Sequence, residues 1–435
     1  MEDPRPKAAM IRAAMCDLNG VWRGKLLPAE QLDKVLDGGL RMPLSVPAID
    51  IFGEDVADSP LVFNTGDADG ICRPTSRGAM PEHWQMDEAQ FVQVVLQAED
   101  GTPSMIDPRQ ILAAIAGKFK ALGLTPVMAV EMEFYLVDAS GAQPVPPPGQ
   151  DHANMLALDN LADYGSFFDE VYSACAAVGI PADSATSEGG AGQFEINLMH
   201  GPDPLIAADN AIFFKRIVKG VAHKHGMAAS FMSKPYVDSA GSGLHVHFSL
   251  LDAAGNNVFD DGTDAGSDTL RHCVAGLLRL MPASMLVFAP HLNSYRRLSP
   301  ENHAPTGIGW GYENRTSAIR IPGGPSKARR IEHRVAGADT NPYLLLSVLL
   351  AGVLEGLERR EYPFAATEGN AYEADLKQLP GDWLASIMAF ENEPALARHL
   401  NPQFCKVFAA MKRQEFARFS DRMTDFEVAT YLSTV

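Results

Sequence analysis

The sequence predicts an α+β protein with a small β-rich N-terminal domain, residues 1–105, and a larger domain, residues 106–435. Three observations support this fold class. Short segments alternate apolar and polar residues, as half-buried strands do, and longer segments repeat apolar residues at helical spacing. Clusters of Asp, Gly and Pro separate the two kinds of segment and mark turns. The length of 435 residues allows two or more domains.

The N-terminal domain is predicted to contain three strands, of which the first two form a hairpin. Residues 9–18 and 21–26 form two apolar segments on either side of Asn19-Gly20, a dipeptide typical of two-residue hairpin turns. A further strand is predicted over residues 91–98, after segments rich in turn residues. The domain boundary is placed near residues 103–108, because helical spacing begins there.

The larger domain is predicted to alternate strands with long helices. Its first helix begins at Pro108, with Asp107 as the N-cap, and Gly123 is expected to end it. Further helices are predicted over residues 160–178, 203–225, 267–281, 341–361, 383–390 and 403–419. The Pro-rich segment 143–149 is predicted to be a surface loop. Residues 299–311, dense in Pro and Gly, are typical of a mobile loop over a site.

Five short segments of the larger domain combine one apolar face with one charged face. In residues 127–137 the even positions are apolar, while Glu131 and Glu133 share the opposite face because successive side chains of a strand alternate. The other segments are residues 193–198, 244–250, 319–321 and 330–335. They predict a curved, mostly antiparallel sheet, flanked by helices, whose open face carries acids, histidines and arginines.

Six side chains on these segments or beside them are potential metal ligands: Glu131, Glu133, Glu188, Glu195, His245 and Glu332. Five oxygen donors with a single imidazole favour Mg²⁺ or Mn²⁺ over Zn²⁺. Any one of these glutamates could be an ordinary surface carboxylate. The set is different, because buried carboxylates cannot remain ionised side by side without cations.

A group of cations lies close to these acids in the sequence. It comprises Arg315, Arg320, Lys327, Arg329, Arg330 and Arg334. Taken alone, a basic run is more often a solvated face. Here Arg330, Glu332 and Arg334 alternate with Ile331 and Val335, so three charges share one face. Guanidinium groups bind phosphate and carboxylate in a bidentate manner, which predicts a phosphate or nucleotide site.

Composition excludes several classes of partner. The formal net charge of −18 argues against nucleic acid and anionic membrane. The five cysteines are scattered, with no Cys-x-x-Cys spacing, so neither a disulfide framework nor a zinc site is expected. The polar N-terminus lacks a signal-peptide pattern, and the apolar run 344–354 is too short to span a bilayer. The expected location is the cytoplasm.

Seven motifs, in order along nearly the whole chain, resemble the glutamine synthetase family. They include Glu131-Met-Glu133, Gly192-Gln-Phe-Glu195, Gly241-Ser-Gly-Leu-His-Val-His247 and Asn341-Pro-Tyr-Leu344. The others lie within residues 293–298, 314–322 and 327–334. The resemblance implies a β-grasp-like N-terminal domain and a catalytic domain. It also implies a homo-oligomer, commonly a dodecamer of two stacked hexameric rings with sites between subunits.

The resemblance also implies the reaction and the metal ligands. Such enzymes phosphorylate the γ-carboxylate of glutamate with ATP, and an amine then displaces the phosphate. One of the two metal sites, for Mg²⁺ or Mn²⁺, would comprise Glu133, Glu188 and Glu195. The other would comprise Glu131, His245 and Glu332.

Substrate roles follow from the same resemblance. Gly241 and Arg297 would hold glutamate, with Arg334 near its reacting end. Arg315 and Arg320 would contact the transferring phosphate. The nucleotide contacts would be His247, Ser249, Lys327 and Arg330.

The chain departs from the family at the position that handles ammonia. The family's loop glutamate, followed by Ala-Pro, is His303 here, with Glu301 two positions earlier. Imidazole attracts NH₄⁺ poorly, but its neutral form can accept a proton from a larger amine. Ala240 replaces the asparagine that precedes the glutamate-site glycine. Asp50 is a candidate contact for the amine, supplied by a neighbouring subunit.

These departures lead to a specialised branch as the first hypothesis. Lys377 stands where the family carries an adenylylated tyrosine, so that control is not expected. We expect a glutamate–amine ligase similar to the γ-glutamylpolyamine and γ-glutamylamide synthetases. One alternative is a true glutamine synthetase in which Glu301 takes the role of the missing glutamate. A second is a non-catalytic scaffold or nitrogen sensor on the same fold.

Overall fold

The computed structural model describes residues 10–62, 66–85, 89–138, 143–145 and 154–435. It contains two sheets, and the fold class predicted from the sequence is confirmed. The strands of the first sheet are β1 (Met10–Cys16), β2 (Trp22–Pro28), β3 (Leu40–Pro43), β4 (Asp69–Pro81) and β5 (Ala89–Gln97). Their order is β2-β1-β5-β4-β3, and only the β1–β5 pair within this sheet is parallel.

The second sheet carries the predicted charged face. Its strands are β6 (Thr125–Val137), β7 (Ala182–Ser187), β8 (Gln193–Gly201), β9 (Ala228–Ser230), β10 (Leu244–Leu251), β11 (Trp310–Tyr312), β12 (Ile319–Ile321) and β13 (Ile331–His333). The order is β11-β12-β13-β10-β6-β8-β7, with β9 also paired to β6. All described pairs are antiparallel except β11–β12, so the mostly antiparallel sheet is confirmed.

The described residues also form eleven helices, several of which pack against the second sheet. They are α1 (Leu32–Leu36), α2 (Pro108–Ala121), α3 (Leu158–Ala162), α4 (Gly165–Ala177), α5 (Pro204–Lys224), α6 (Asp268–Phe288), α7 (Pro342–Arg359), α8 (Trp383–Glu391), α9 (Pro394–His399), α10 (Pro402–Ser420) and α11 (Asp425–Tyr431). The Asp107 carboxylate accepts hydrogen bonds from the N–H groups of Arg109 and Gln110, which confirms its predicted cap.

Some predicted elements were wrong in detail. The N-terminal hairpin is closed by five residues, 17–21, and not by two, because Asp17 and Val21 close the loop by a backbone hydrogen bond. The helix predicted over 160–178 is two helices, broken at residues 163–164. Helix α6 continues to Phe288 through Pro282, seven residues beyond its predicted end. Most of the predicted loop 143–149 lies outside the described residues.

The first sheet contributes to two cores. One face, with Ile11, Val92 and Leu96, packs with α1 in a small core of its own. The other face reaches the main core, where the rings of Trp22, Phe91 and Phe213 lie 4.8–5.1 Å apart. The boundary near residue 105 stays a prediction, but the apolar core runs continuously across it.

Helix α6 is the one described helix long and apolar enough to cross a membrane by length and composition. Of its most apolar window, 72% is buried inside the protein, as expected for a core helix. The apolar run 344–354 lies within α7 and is likewise buried.

Candidate active site

Strand pairing brings the predicted acids onto one face of the second sheet. Strand β6 lies between β10 and β8, and the register places Glu131 opposite His245 and Glu133 opposite Glu195. Between the two glutamates, Met132 is fully buried on the opposite face. The period of two in the sequence therefore corresponds to one apolar and one chemically active face.

Two clusters of potential metal ligands lie on this face. The ligand atoms of Glu131, Glu195 and His245 are within 4.8 Å of one another, as are those of Glu131, His247 and Glu332. Glu131 is common to both, with Oε2 3.5 Å from His245 Nδ1 and Oε1 2.9 Å from His247 Nε2. This grouping differs from the predicted one, since His247 joins the acids.

Glu133 and Glu188 lie next to these clusters. Glu133 Oε2 accepts hydrogen bonds from the Gly243 N–H at 2.8 Å and from Gln193 Nε2 at 3.2 Å. The backbone N–H of Glu188 donates to the Gln193 carbonyl at 2.9 Å. Gln193 has no predicted role, although its position two residues before Glu195 places it on the same strand face. It acts here as a support for the carboxylates.

The carboxylates of the site lie so close together that they disfavour one another's ionisation. Burial, followed by the charges of Glu131 and Glu133, raises the pKa of Glu195 to about 9. Burial and the charges of Glu133 and Glu131 raise the pKa of Glu188 to about 8. Burial also acts on Glu131, but hydrogen bonds from two histidines outweigh it and hold the pKa of Glu131 below its usual range. Such an oxygen-rich set with imidazole nitrogen fits divalent cations.

Arginines adjoin the acids at Glu332. Arg320 Nη1 donates to Glu332 Oε2 at 2.8 Å, and Arg334 Nη1 donates to Glu332 Oε1. Arg334 Nε also donates to the Arg315 carbonyl at 3.2 Å. Arg320 has a second acid partner, Glu313, which sequence reasoning missed. Glu332 thus joins the metal-ligand cluster to the predicted phosphate contacts.

Two of the predicted glutamate contacts, Gly241 and Arg297, pack closely against each other. This side chain is buried, and Nη1 donates to the Val335 carbonyl at 2.9 Å. A Cβ atom at Gly241 would lie 2.7 Å from Arg297 Cγ, and one at Gly243 would lie 2.6 Å from Arg297 Nη2. Because the Ser233 carbonyl oxygen would also lie 2.9 Å from a Cβ atom at residue 241, glycine is required there, whereas at Gly243 the end of the Arg297 side chain would have to move. Among the described residues, Arg297 Nε has no hydrogen-bond partner, so it is available to an anionic ligand.

The predicted nucleotide contacts line a single cleft of about 790 Å³. Its walls include His247, Ser249, Lys327 and Arg330. Arg330 Nε lies 3.3 Å from His247 Nδ1, and Asn257 Nδ2 donates to the Lys327 carbonyl at 3.2 Å. Because Glu131 and His247 also line this cleft, it opens directly onto the carboxylate clusters.

The predicted amine loop presents an unexpected residue to the site. The side chains of Glu301 and His303 are both exposed, and His303 has a left-handed backbone with φ of 51°. Asn302 between them faces inward, and its Oδ1 accepts a hydrogen bond from the Gly241 N–H at 3.1 Å. The only signal in the sequence was its place between two candidate residues.

Within the described part of this chain, the partners of Asp50 are not residues of the site described above. Its buried carboxylate accepts hydrogen bonds from the backbone N–H groups of Phe52 and Glu54, both at 2.9 Å, and from Gln414 Nε2 at 2.9 Å. Arg418 on α10 is a further partner, at 3.4 Å. Its predicted contact with an amine in a neighbouring subunit stays a prediction.

Comparison with known proteins agrees with the motifs and the geometry. The model of the glutamine synthetase catalytic domain matches residues 105–431. Gamma-glutamylputrescine synthetase PuuA of Escherichia coli (strain K12) is 38% identical over 97% of this chain and 91% of its own length. Glutamate–isopropylamine ligase of a Pseudomonas species is 34% identical over 98% of this chain and 95% of its own length.

Solved structures show the same fold. A complex of GmaS with ADP superimposes with a TM-score of 0.87 and 29% sequence identity, over 98% of this chain and 97% of that one. The agreement extends over both sheets and is not confined to the catalytic motifs. This chain is therefore a member of the glutamine synthetase family of ligases.

Proposed function

We propose that this enzyme joins the γ-carboxylate of glutamate to a primary amine or polyamine larger than ammonia, with ATP as co-substrate and γ-glutamyl phosphate as intermediate. The observation that carries the proposal is Glu332, which is paired with Arg320 and Arg334 and clusters with Glu131 and His247. Glu131 and His247 in turn line the cleft of about 790 Å³. That arrangement supports a site in which a carboxylate, a phosphate and a metal ion would meet.

The relatives support an amine larger than ammonia. Their names specify putrescine in one case and isopropylamine in another, and the GmaS structure holds ADP. The loop agrees, since His303 stands in place of the family's ammonia-handling glutamate. A true glutamine synthetase is the less favoured alternative. A scaffold or sensor is disfavoured, because crowding this many partly buried acids together is costly without a ligand.

The chemistry divides into two balanced steps. A γ-carboxylate oxygen of glutamate attacks the terminal phosphorus of ATP, and ADP leaves. The amine nitrogen then attacks the acyl carbon, the carbon–oxygen bond to phosphate breaks, and the nitrogen gives up a proton. Arg320 and Arg334 are suited to stabilise the negative charge that develops on the phosphoryl and acyl oxygens.

Metal ions would bind the carboxylate–histidine face. We propose Mg²⁺ or Mn²⁺, two or more per subunit, held by Glu131, Glu195 and His245 and by Glu131, His247 and Glu332. Glu133 and Glu188 would complete the first of these sites. When bound, the metals neutralise the polyphosphate charge so that two anions can meet.

Exposed apolar side chains near the C-terminus support a homo-oligomer. Met423, Phe426 and Leu432 are 78%, 79% and 81% exposed on and around α11. Such large apolar side chains on a protruding helix are suited to burial against another subunit. We propose the family's dodecamer of two stacked hexameric rings, located in the cytoplasm. Native mass spectrometry of the full chain and of a chain ending at residue 420 tests it, with dissociation expected for the shorter chain.

A substrate panel tests the function. Phosphate release is measured with ATP, Mg²⁺ and glutamate plus ammonium, methylamine, isopropylamine, ethanolamine, putrescine or spermidine. We expect an organic amine to be preferred over ammonium at least 10-fold in kcat/KM, a difference of ~1.4 kcal/mol in transition-state binding. Ammonium as the best substrate would establish a glutamine synthetase instead. No amine-dependent release, with no Mg²⁺-dependent ATP binding by calorimetry, would revive the scaffold.

A further inference from the structure

One side-chain amide fastens the amine loop to the glutamate site. Asn302 Oδ1 accepts hydrogen bonds from the Gly241 N–H at 3.1 Å and from Lys234 Nζ at 2.5 Å. Asn302 Nδ2 donates to Ser299 Oγ at 2.8 Å, which braces the loop internally. The loop of residues 299–305 is thus joined to the segment that leads into strand β10.

Lys234 is itself held firmly in place. Its Nζ also donates to the Ser239 carbonyl, and its backbone N–H donates to Asn293 Oδ1 at 2.9 Å. Asn293 Nδ2 returns a hydrogen bond to the Lys234 carbonyl at 2.8 Å. Hydrogen bonds from an ammonium group are stronger than neutral ones, so Lys234 fixes the acceptor oxygen of Asn302.

From Gly241 the contacts continue to the carboxylate face. The Gly241 carbonyl accepts a hydrogen bond from Gln193 Nε2 at 3.0 Å, and the same nitrogen lies 3.2 Å from Glu133 Oε2. The Gly241 backbone also packs against Arg297, where a Cβ atom would not fit. An unbroken series of contacts therefore links the loop, the glutamate contacts and the metal-ligand face.

We propose that Asn302 and Lys234 are positioning residues that hold the loop of residues 299–305 closed over Gly241, so that activated glutamate reacts with an amine and not with water. This inference rests on the proposed function. With an amine, a carbon–nitrogen bond replaces the carbon–oxygen bond to phosphate, and the amine loses a proton. With water, glutamate is regenerated and phosphate is released, so ATP is consumed without amide. A loop that opens admits water and raises that second outcome.

Hydrogen exchange tests the closed loop directly. In Asn302→Ala the Gly241 amide loses its acceptor, and we expect its exchange to accelerate about 10-fold or more. The neighbouring amides provide internal references, since Ser242 N–H donates to the Ser233 carbonyl and Gly243 N–H to Glu133. Asn302→Asp keeps the acceptor oxygen and is expected to retain protection. Unchanged exchange at Gly241 in Asn302→Ala would overturn the proposal.

The ratio of phosphate released to amide formed tests the consequence. It is measured with the amine preferred by the wild-type protein, and we expect it to rise at least threefold in Asn302→Ala and in Lys234→Met. Asn302→Asp should stay near the wild-type ratio, as should the matched controls Asn256→Ala and Lys120→Met on exposed surface. An unchanged ratio in Asn302→Ala and Lys234→Met, despite faster exchange, would refute control of the reaction by the loop. A wild-type protein that forms no amide would refute the proposed function instead, while the exchange result would still judge the closed loop.

Discussion

Two acidic centres of this protein, the buried Asp209 and the half-buried Glu195, have opposite surroundings. Asp209 on α5 accepts hydrogen bonds from Arg109 at 2.9 and 3.0 Å and from Tyr343 at 2.6 Å, so its charge is met inside the fold. Glu195 on β8 lies among other carboxylates, and among the described residues no side chain donates a hydrogen bond to it. Burial alone therefore does not distinguish a functional acid from a structural one. The side-chain donors around each carboxylate separate these two acids, although Glu332, on the same face as Glu195, is itself paired with Arg320 and Arg334.

The strongest way to break this comparison is to remove the structural acid. Asp209→Ala leaves Arg109 and Arg77 without their buried partner, and we expect unfolding free energy to fall by about 3–5 kcal/mol in urea titrations. Glu361→Gln breaks the exposed pair with Arg359 and serves as control, with an expected effect far smaller than that of Asp209→Ala. Equal effects of both variants would mean that the Asp209 network is not structural.

The functional acid should behave in the reverse manner. Glu195→Gln keeps the shape of the side chain but removes a proposed metal ligand, so we expect kcat/KM to fall more than about 100-fold, since supporting residues alone account for ~10–100-fold. Stability in the presence of a chelator should not fall, because one of several crowded carboxylates is removed. A stability loss of the size seen for Asp209→Ala would place Glu195 with the structural acids.

Lys215 extends the comparison from acids to a buried base. Its Nζ donates a hydrogen bond to the Thr340 carbonyl at 2.8 Å. Burial, then the charge of Lys219, lowers the pKa of Lys215 to about 7, against weaker opposing effects of Asp339 and Cys16. Between pH 7 and about 10.5 the unfolded chain binds the extra proton. Stability therefore rises with pH in this window, by at most ~1.4 kcal/mol per unit. Urea titrations at pH 7, 8 and 9 should show a shallower rise in Lys215→Met, and parallel curves would disprove the assignment.

We expect the smallest change in stability at an acid whose hydrogen-bond donors are backbone N–H groups. Asp107 caps α2 and also accepts a hydrogen bond from the Leu96 N–H at 2.9 Å, which ties the helix to strand β5. Asp107→Ala should cost about 1–2 kcal/mol of unfolding free energy, whereas Asp107→Asn, which retains one acceptor oxygen, should cost less. Thermal unfolding of the two variants distinguishes them, and the opposite ranking would contradict the capping role.

Local patterns predicted the faces of the strands but not their pairing. Glu131 and Glu133 were assigned to one face because alternation is a property of a single strand. Which acid lies beside which depends on register between β6, β8, β10 and β13, and these strands are up to about 200 residues apart in sequence. The placement of His247 with Glu131 and Glu332 therefore required the fold.

Loops were the other limit of prediction. The family motif directed attention to Glu301 and His303, yet the inward residue is Asn302. In a loop no period relates position to direction, so neighbouring residues cannot be told apart from sequence. The same reason explains the hairpin, where Asn19-Gly20 was taken as the whole turn although Asp17 closes a longer one.

The continuous apolar contact between the first sheet and helix α5 has a practical consequence. A fragment that starts at residue 106 would lack Trp22 and Phe91, so Phe213 would face solvent where those rings now lie. Such a fragment should be insoluble when expressed by itself. Chimaeras designed to transfer amine preference between homologues must therefore exchange loops within an intact chain and keep this apolar contact.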